Sequence, residues 1–453
     1  MPRIPFAEGF KGEDELPRTW RLLKNCWRNG QGNIIPRPGI STLSTTGKVA
    51  RGNFVWNGSM YQVVSTDLIK VTDKSTGAFS VIGTIEGAEA VEVDVGFNHA
   101  VIVVSGGKLY TLSKADTLTD ISSNPNIVPS VDVTHIKDRF VYIPADGTPA
   151  FFSDVGAAGT VQVDSFFDAG ELPDSNKASI NIKDTLYIFG SDSIQPFRDT
   201  GASPVPYRGV QGARIPAGYL GGLLEYEDTA LFIGRKKGQS LGIFALAQGG
   251  ATRISNTRID LILQKYTVGQ LAETVASRFI WNGYDIATFS IGEDSFGFFG
   301  GEWFLLDTLF GGTLRAWGGG YITQFENEYF TAFEDKIGKL DKVNKDYGER
   351  ISRCMETAFE QEDNKKFSVQ SLEVGVSQGY NSSIGSMALQ TSRDGVLWGP
   401  PVYRNLGEVG KYTDRLEWNP PGGLGNFQGY VGIRLYTTED INFTADHMQA
   451  NFR

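Results

Sequence analysis

The sequence predicts an all-β protein: a β-propeller of about seven blades, with six as the alternative count, an extended N-terminal arm and a C-terminal β-sandwich. Three observations predict it. A hairpin design recurs along the chain, turn-forming and aromatic residues are abundant (55 glycines, 12% aromatic), and amphipathic helical periodicity is scarce. The design is plainest in FNHAVIVVSGGKLYTL, Phe97 to Leu112, where a polar turn leads into an apolar strand, a tight turn and a second short strand. Further copies start at Trp56, Ile136, Ile182, Tyr226, Trp281 and Phe325, close to the ~40–50 residues of a four-stranded propeller blade. Most open on a turn dipeptide, Asn57-Gly58, Lys137-Asp138, Lys183-Asp184, Glu227-Asp228 or Asn282-Gly283, and continue in β-branched and aromatic residues. One such hairpin is only marginally stable, so the copies must stack around an axis to bury both faces.

Length and charge bound the rest. A chain of 453 residues is too long for one ordinary domain. Its net charge of −10 argues against a basic nucleic-acid-binding face, although an acidic wall suits DNA that must slide past without sticking. Cys26 and Cys354 are far apart and lack a metal-ligand spacing, which leaves a disulfide open. The N-terminus has no apolar signal region and no apolar run approaches the ~20 residues of a membrane span, so synthesis in a cytoplasm without a membrane anchor is expected.

In chain order, residues 1–47 carry five prolines and no blade pattern, which predicts the arm; within it, the run from Ile40 to Ser44 is suited to adding a strand to the last blade. The propeller is assigned to 48–359. The spacing between the copies at Tyr226 and Trp281 is the longest, and the excess NTRIDLILQKYTVGQLAETVA reads as helix. Asn256 or Thr257 can cap its first turn, Thr267 and Gln270 have capping-box spacing, and Ile259, Ile262 and Leu263 share a face. The charged stretch from Lys336 to Lys366 reads as a solvated strand edge followed by a linker. Residues 366–453 form the sandwich, with strands expected at Phe367 to Val376, Ser386 to Ser392, Tyr412 to Trp418, Tyr430 to Thr437 and Ile441 to Arg453.

The residues that could carry chemistry point away from catalysis. His99, His135 and His447 occur singly, and no HExxH, CxxC pair, GxSxG or P-loop is present, so no metal, cofactor or nucleotide site is expected. SRDGVLW, Ser392 to Trp398, approximates the Asp-box turn of sialidase propellers, S-x-D-x-G-x-T-W, one residue short and without its Thr. Such a box is a folding turn, so Ser392, Asp394, Gly395 and Trp398 are assigned a structural role. The alternative function is a sialidase-like glycan-processing or glycan-binding propeller. It would need a central arginine cluster, for which Arg37, Arg51, Arg139, Arg198 and Arg278 are the candidates, or an acidic pair such as Glu302 with Asp307 or Glu334 with Asp335. In the acidic run Glu86, Glu89, Glu92 and Asp94, strand alternation places Glu92 and Asp94 on one face. Glu89, Glu92 and Asp94 are therefore the candidates to line a channel.

The segment MALQTSRDGVLWGPPVYRNLGEVGKYTDRLEW, Met387 to Trp418, resembles the closing domain of the tail accessory proteins of short-tailed phages, also called packaged-DNA stabilization or tail nozzle (hub) proteins. Ser392-Arg393-Asp394-Gly395, Gly407, Gly410, Tyr412, Arg415 and Trp418 fit the pattern S-x-D-G … G … G-x-Y-x-x-R-x-x-W. Upstream, RPGI at 37–40, GKLY at 107–110, the segment from Ile182 to Phe197 and the helix at 257–276 follow in the family's order. After Trp418 the chain departs, reading Asn-Pro-Pro-Gly-Gly where the family has a shorter, basic connection. The resemblance implies a virion protein of the phage tail, a homohexameric ring below the portal or adaptor that encloses the DNA-exit channel and stabilises packaged DNA. It also implies attachment of a tail fibre or tail needle, and passage of DNA without tight binding.

Overall fold

The structure, a computed structural model, describes all residues except 1, 2, 5–21, 105, 169–173, 248, 361–364, 379–383 and 407–412. Residues 1, 2 and 5–21 of the expected arm, and Gly407, Gly410 and Tyr412 of the family pattern, thus lie outside the described residues. The chain divides into two compact units, one of Thr42–Phe279 and Gly319–Lys339, the other of Met1–Ser41, Ile280–Gly318 and Leu340–Arg453.

In the first unit five consecutive four-stranded antiparallel sheets span Ala50–Thr84, Val91–Asp120, Ser130–Phe167, Asn176–Gly209 and Gly218–Arg253. A further sheet pairs Tyr321–Phe325, Glu328–Phe333 and Lys336–Asp341 with Gly39–Thr45, the strand anticipated from Ile40 to Ser44. The strand order Val275–Trp281, Tyr284–Ile291, Asp294–Phe299, Glu302–Leu306, most of which falls in the other unit, repeats the same up-and-down pattern. First strands of successive sheets lie side by side, and an apolar cluster fills each seam between them. Phe54, Tyr61, Ile102 and Tyr110 join the first two sheets; Phe189, Phe232 and Phe244 join the fourth and fifth. This is the physical reason the copies stack: each sheet is apolar on both faces, and only its neighbours can cover them.

The turn dipeptides set the phase of the repeat. Each copy read from sequence begins in the loop between a sheet's first and second strands, so it covers the second and third strands rather than a whole blade. Asn57 and Gly58 (φ 47° and 68°), Lys137 and Asp138 (44°, 61°), Lys183 and Asp184 (49°, 60°), and Glu227 and Asp228 (45°, 64°) are left-handed at both central positions. That is the type I′ geometry of two-residue hairpins, whose twist matches the flanking strands. Lys137 and Asp138 lack the glycine that makes this conformation free of strain. Replacing them with Asn-Gly is expected to stabilise the unit by about 0.5–1 kcal/mol, measured as a raised denaturation midpoint; an unchanged midpoint would show that the turn is unstrained.

The helical insert is two short helices. Asn256 caps Thr257–Leu263 by accepting from the Ile259 N–H, and Thr267 with Gln270 forms a reciprocal capping box at Val268–Ala272. Ile259, Ile262 and Leu263 are buried, as their shared face requires. Leu271 packs onto the fifth sheet at Gly221, where a Cβ would lie 1.8 Å from the Leu271 carbonyl oxygen. Only glycine allows that approach.

The second unit is a two-layer β structure. One layer orders Val402–Leu406, Gly385–Ser392, Tyr430–Thr437, Arg353–Glu360 and Leu22–Lys24; the other orders Thr413–Trp418, Lys366–Gln378, Phe443–Phe452, Ile34–Pro36 and Cys26–Arg28. Met387, Leu389, Ile433 and Leu435 from one layer and Leu372, Val374, Leu416 and Trp418 from the other are buried. Two expectations are revised. Arg353–Phe359, assigned to the end of the propeller, forms with Glu360 a strand paired with Tyr430–Thr437, since Met355 and Thr357 are buried and Glu356 is paired with Arg434 at 2.7 Å. Residues 22–36, read as arm, supply three strands because Leu23, Cys26, Trp27 and Ile34 are buried.

The RPGI segment is the anchor of this unit. All five N–H groups of the buried Arg37 guanidinium are used. They meet Asn25 Oδ1, the Pro38 and Asp307 carbonyls at 2.9 Å each, and both oxygens of Asp346. Thr308 Oγ1 donates to Asp346 at 2.8 Å, and Trp317 lies 5.5 Å from the guanidinium carbon. Two residues on, a Cβ at Gly39 would sit 2.3 Å from the Lys345 carbonyl oxygen, so glycine is required there.

Candidate functional site

Polar residues on the first strands of the propeller sheets bond from one sheet to the next. Asp94, on Val91–Val95, accepts the His135 N–H at 2.6 Å. Asp132, one sheet further, accepts the Ser179 N–H at 2.5 Å and the Ser179 hydroxyl at 3.2 Å. Asn181 donates to the His135 carbonyl at 3.2 Å, and Arg51 donates to the Glu89 carbonyl at 2.6 Å. These bonds satisfy backbone groups at the inner ends of the sheets, where no adjacent strand of the same sheet can reach them.

The three sequence candidates are placed differently. Glu89 is exposed in the connection before Val91–Val95, and N–H groups of its own backbone and of Ala88 hold its carboxyl below the usual range. Asp94 is committed to the next sheet, and burial pushes its carboxyl up despite the His135 N–H. Glu92 reaches solvent but is crowded by protein, and burial pushes it up to about 7. Asp132 is raised well above the carboxylate range, by burial first and by Glu92 second. Sequence reasoning missed Asp132 because alternation fixes which face a residue occupies but not what stands across the seam.

The 392–398 turn closes on itself. Asp394 Oδ1 accepts the Val396 and Leu397 N–H groups at 2.8 Å each, while Ser392 Oγ accepts Gly395 N at 2.9 Å and donates to the Leu397 carbonyl at 2.7 Å. Gly395 is left-handed at φ 73°. Trp398 is half-buried, with the Arg434 guanidinium 4.0 Å from its ring centre, and Arg434 in turn bonds Glu356 at 2.7 Å.

The residues a glycan site would need are engaged elsewhere. Arg37 is fully bonded inside the second unit. Arg51 serves the Glu89 and Ser65 carbonyls, Arg139 serves the Ser153 carbonyl at 2.7 Å, Arg278 lies over Tyr226, and Arg198 is exposed on the third strand of its sheet. Glu302 pairs with Arg28, Asp307 with Lys24, and Asp335 with Lys336. Glu334 occupies the left-handed position of a tight turn (φ 48°) and accepts the Ala50 N–H on its carbonyl. Among the described residues no group of three or more His, Cys, Asp or Glu could hold a metal ion, and no helix is long and apolar enough to cross a membrane.

Comparison with known proteins matches residues 3–298 to the bacteriophage P22 Gp10 β-propeller family and residues 352–453 to the bacteriophage P22 Gp10 β-sandwich family. The tail hub protein gp10 of Salmonella phage P22 is 21% identical, over 98% of each chain. Among solved structures, the extracellular domain of the two-component system BT4673 of B. thetaiotaomicron is similar at TM-score 0.45 and 8% identity, covering 77% of this chain and 43% of that one. BamB of Moraxella catarrhalis is similar at TM-score 0.38 and 11% identity, covering 71% and 97%. With both family matches in order along one polypeptide, and the sheets and turns that carry them now described, this chain belongs to the bacteriophage P22 Gp10 family.

Proposed function

We propose that this protein is a non-enzymatic structural component of the phage virion, the hub of a short tail. The observation that carries the reading is the pairing, in one chain and in family order, of the propeller at 3–298 with the sandwich at 352–453, together with similarity to a tail hub protein along nearly the whole length of both chains. In the finer form of the proposal six copies form a ring that encloses the DNA-exit channel, stabilises packaged DNA, and joins the portal or adaptor to distal parts such as a fibre or needle. The arm, propeller and sandwich are its working parts, and the 392–398 turn is a structural turn of the sandwich. Glu89, Glu92 and Asp94 are proposed for the acidic wall, with Glu89 the freest to meet passing phosphates.

Charge supports a passive conduit. At −10 per copy a ring carries a large negative excess, and few phosphate contacts means little affinity gained from counterion release. Negative-stain microscopy of the purified protein with its portal or adaptor should show six-fold rings, and a mobility-shift titration at low salt should show no tight DNA binding. A monomer under those conditions would overturn the ring; tight, salt-sensitive binding would replace the conduit with a DNA-gripping plug.

A further inference from the structure

The outer two strands of the fourth sheet set two arginines side by side. Arg198 on Ile194–Asp199 is the direct register partner of Arg208 on Tyr207–Gly209, which places their Cβ atoms roughly 5 Å apart on one side of the sheet. Both side chains are exposed, and among the described residues neither guanidinium has a hydrogen-bond or ion-pair partner. Asp199, the only carboxylate on these two strands, pairs in register with Tyr207 on the other side of the sheet and accepts the Gly201 N–H at 2.8 Å. Like charges directly opposite weaken the strand pairing that carries them, so the fold by itself gives no reason for the arrangement.

Charge around the propeller divides at the same place. Residues 50–167, the first three sheets, hold thirteen Asp and Glu against seven Lys and Arg, whereas 176–253, the fourth and fifth, hold six against nine. In the acidic sector Lys70 pairs with Asp116 at 2.7 Å, and Lys108 with Glu86 and Asp120 at 3.1 Å each. In the basic sector Arg235 and Lys237, where the second strand of the fifth sheet ends, are exposed and likewise without an ion pair among the described residues. Cations without counter-charges and a surplus of carboxylates thus occupy different sheets of one propeller.

We propose that the Arg198 and Arg208 pair is an assembly contact that receives carboxylates from the acidic sheets of a second copy of this chain. The contact presupposes the proposed ring and names the surface by which its neighbours meet. A closed ring needs a head-to-tail contact between two different patches, and opposite charge on different sheets supplies them. A two-fold contact of the patch with itself would set arginine against arginine. Two adjacent guanidinium forks match carboxylates bidentately, and a carboxylate seated between them replaces the cross-strand repulsion with attraction.

Arg208→Glu separates assembly from folding. Within one chain the new carboxylate faces Arg198 and completes a cross-strand ion pair, so the variant is expected to melt at or above the wild-type temperature. Between copies it sets like charge against the neighbour's carboxylates, and half-assembly should need about tenfold more protein than in wild type. Sedimentation and negative-stain microscopy of the full-length protein with its portal or adaptor measure assembly, and thermal melting measures the fold. Rings formed by R208E as readily as by wild type would overturn the contact and leave the ring standing, whereas a wild type that stays monomeric would overturn both. Tight DNA binding by wild type that R208E abolishes would assign the pair to phosphates and overturn the contact.

Discussion

Asp346→Ala is expected to destabilise the second unit by about 3–5 kcal/mol, the usual consequence of removing one partner from a buried ion pair. Both side chains are essentially inaccessible, at 0% for Arg37 and 1% for Asp346. The substitution strands two guanidinium N–H groups and the Thr308 hydroxyl, none of which has water to turn to. Arg353 worsens the balance: it is also buried, and burial followed by the charge of Arg37 lowers its pKa to about 10. Without Asp346 two guanidinium groups would share the interior with less compensation. Denaturant melting of the purified variant measures the effect. A loss under about 1 kcal/mol would mean that the Pro38 and Asp307 carbonyls alone satisfy Arg37.

Phe232→Ala should cost the propeller a comparable amount, about 3–5 kcal/mol, the range for truncating a buried aromatic ring. Phe232 is fully buried and meets Phe189 edge-on at 5.2 Å and Phe244 stacked at 5.8 Å. Phe189 belongs to the fourth sheet, so the ring holds a seam as well as filling a sheet face. Phe232→Leu, which keeps most of the volume, should recover much of the loss. If the alanine variant unfolded no more readily than the leucine variant, the seam would be soft enough to close around the cavity.

How much of this was legible in the sequence depended on distance along the chain. The hairpin turns and helix caps announce themselves locally, since a left-handed Asn57-Gly58 or a Thr267 three residues before Gln270 needs no distant partner. The strand Val402–Leu406 was missed because Pro400 and Pro401 just before it and its own polar residues hide the alternation, although Trp418 Nε1 donates to its Val402 carbonyl at 2.7 Å. Arg353–Phe359 was assigned to the propeller because the strand it pairs with, Tyr430–Thr437, lies far along the chain and leaves no local trace. For the candidate site, alternation gave the shared face of Glu92 and Asp94, and the glycine and aspartate spacing gave the 392–398 turn. Asp132 and the Arg37 to Asp346 pair were not legible, because contacts between different sheets, or between residues hundreds of positions apart, leave no periodic trace.

The strand Gly39–Thr45 has a consequence for how the protein is made. It lies in its sheet beside Lys336–Asp341, the last strand of the meander that starts at Tyr321, and the Thr46 and Ala50 N–H groups bond the Asp335 and Glu334 carbonyls at 2.8 and 2.7 Å. The early segment must therefore wait for nearly the whole propeller to leave the ribosome, about 15–60 s at ~5–20 residues per second. Until then the face of the first sheet bearing Met60, Val64, Ile69 and Val71 lacks Phe330 and Ile337, which cover it in the finished fold. The nascent propeller is an open arc with a sticky end, and the hazard lasts as long as synthesis does. Slowing translation between residues 85 and 330 should raise the fraction of chain lost to aggregation, while the same delay placed after residue 345 should not.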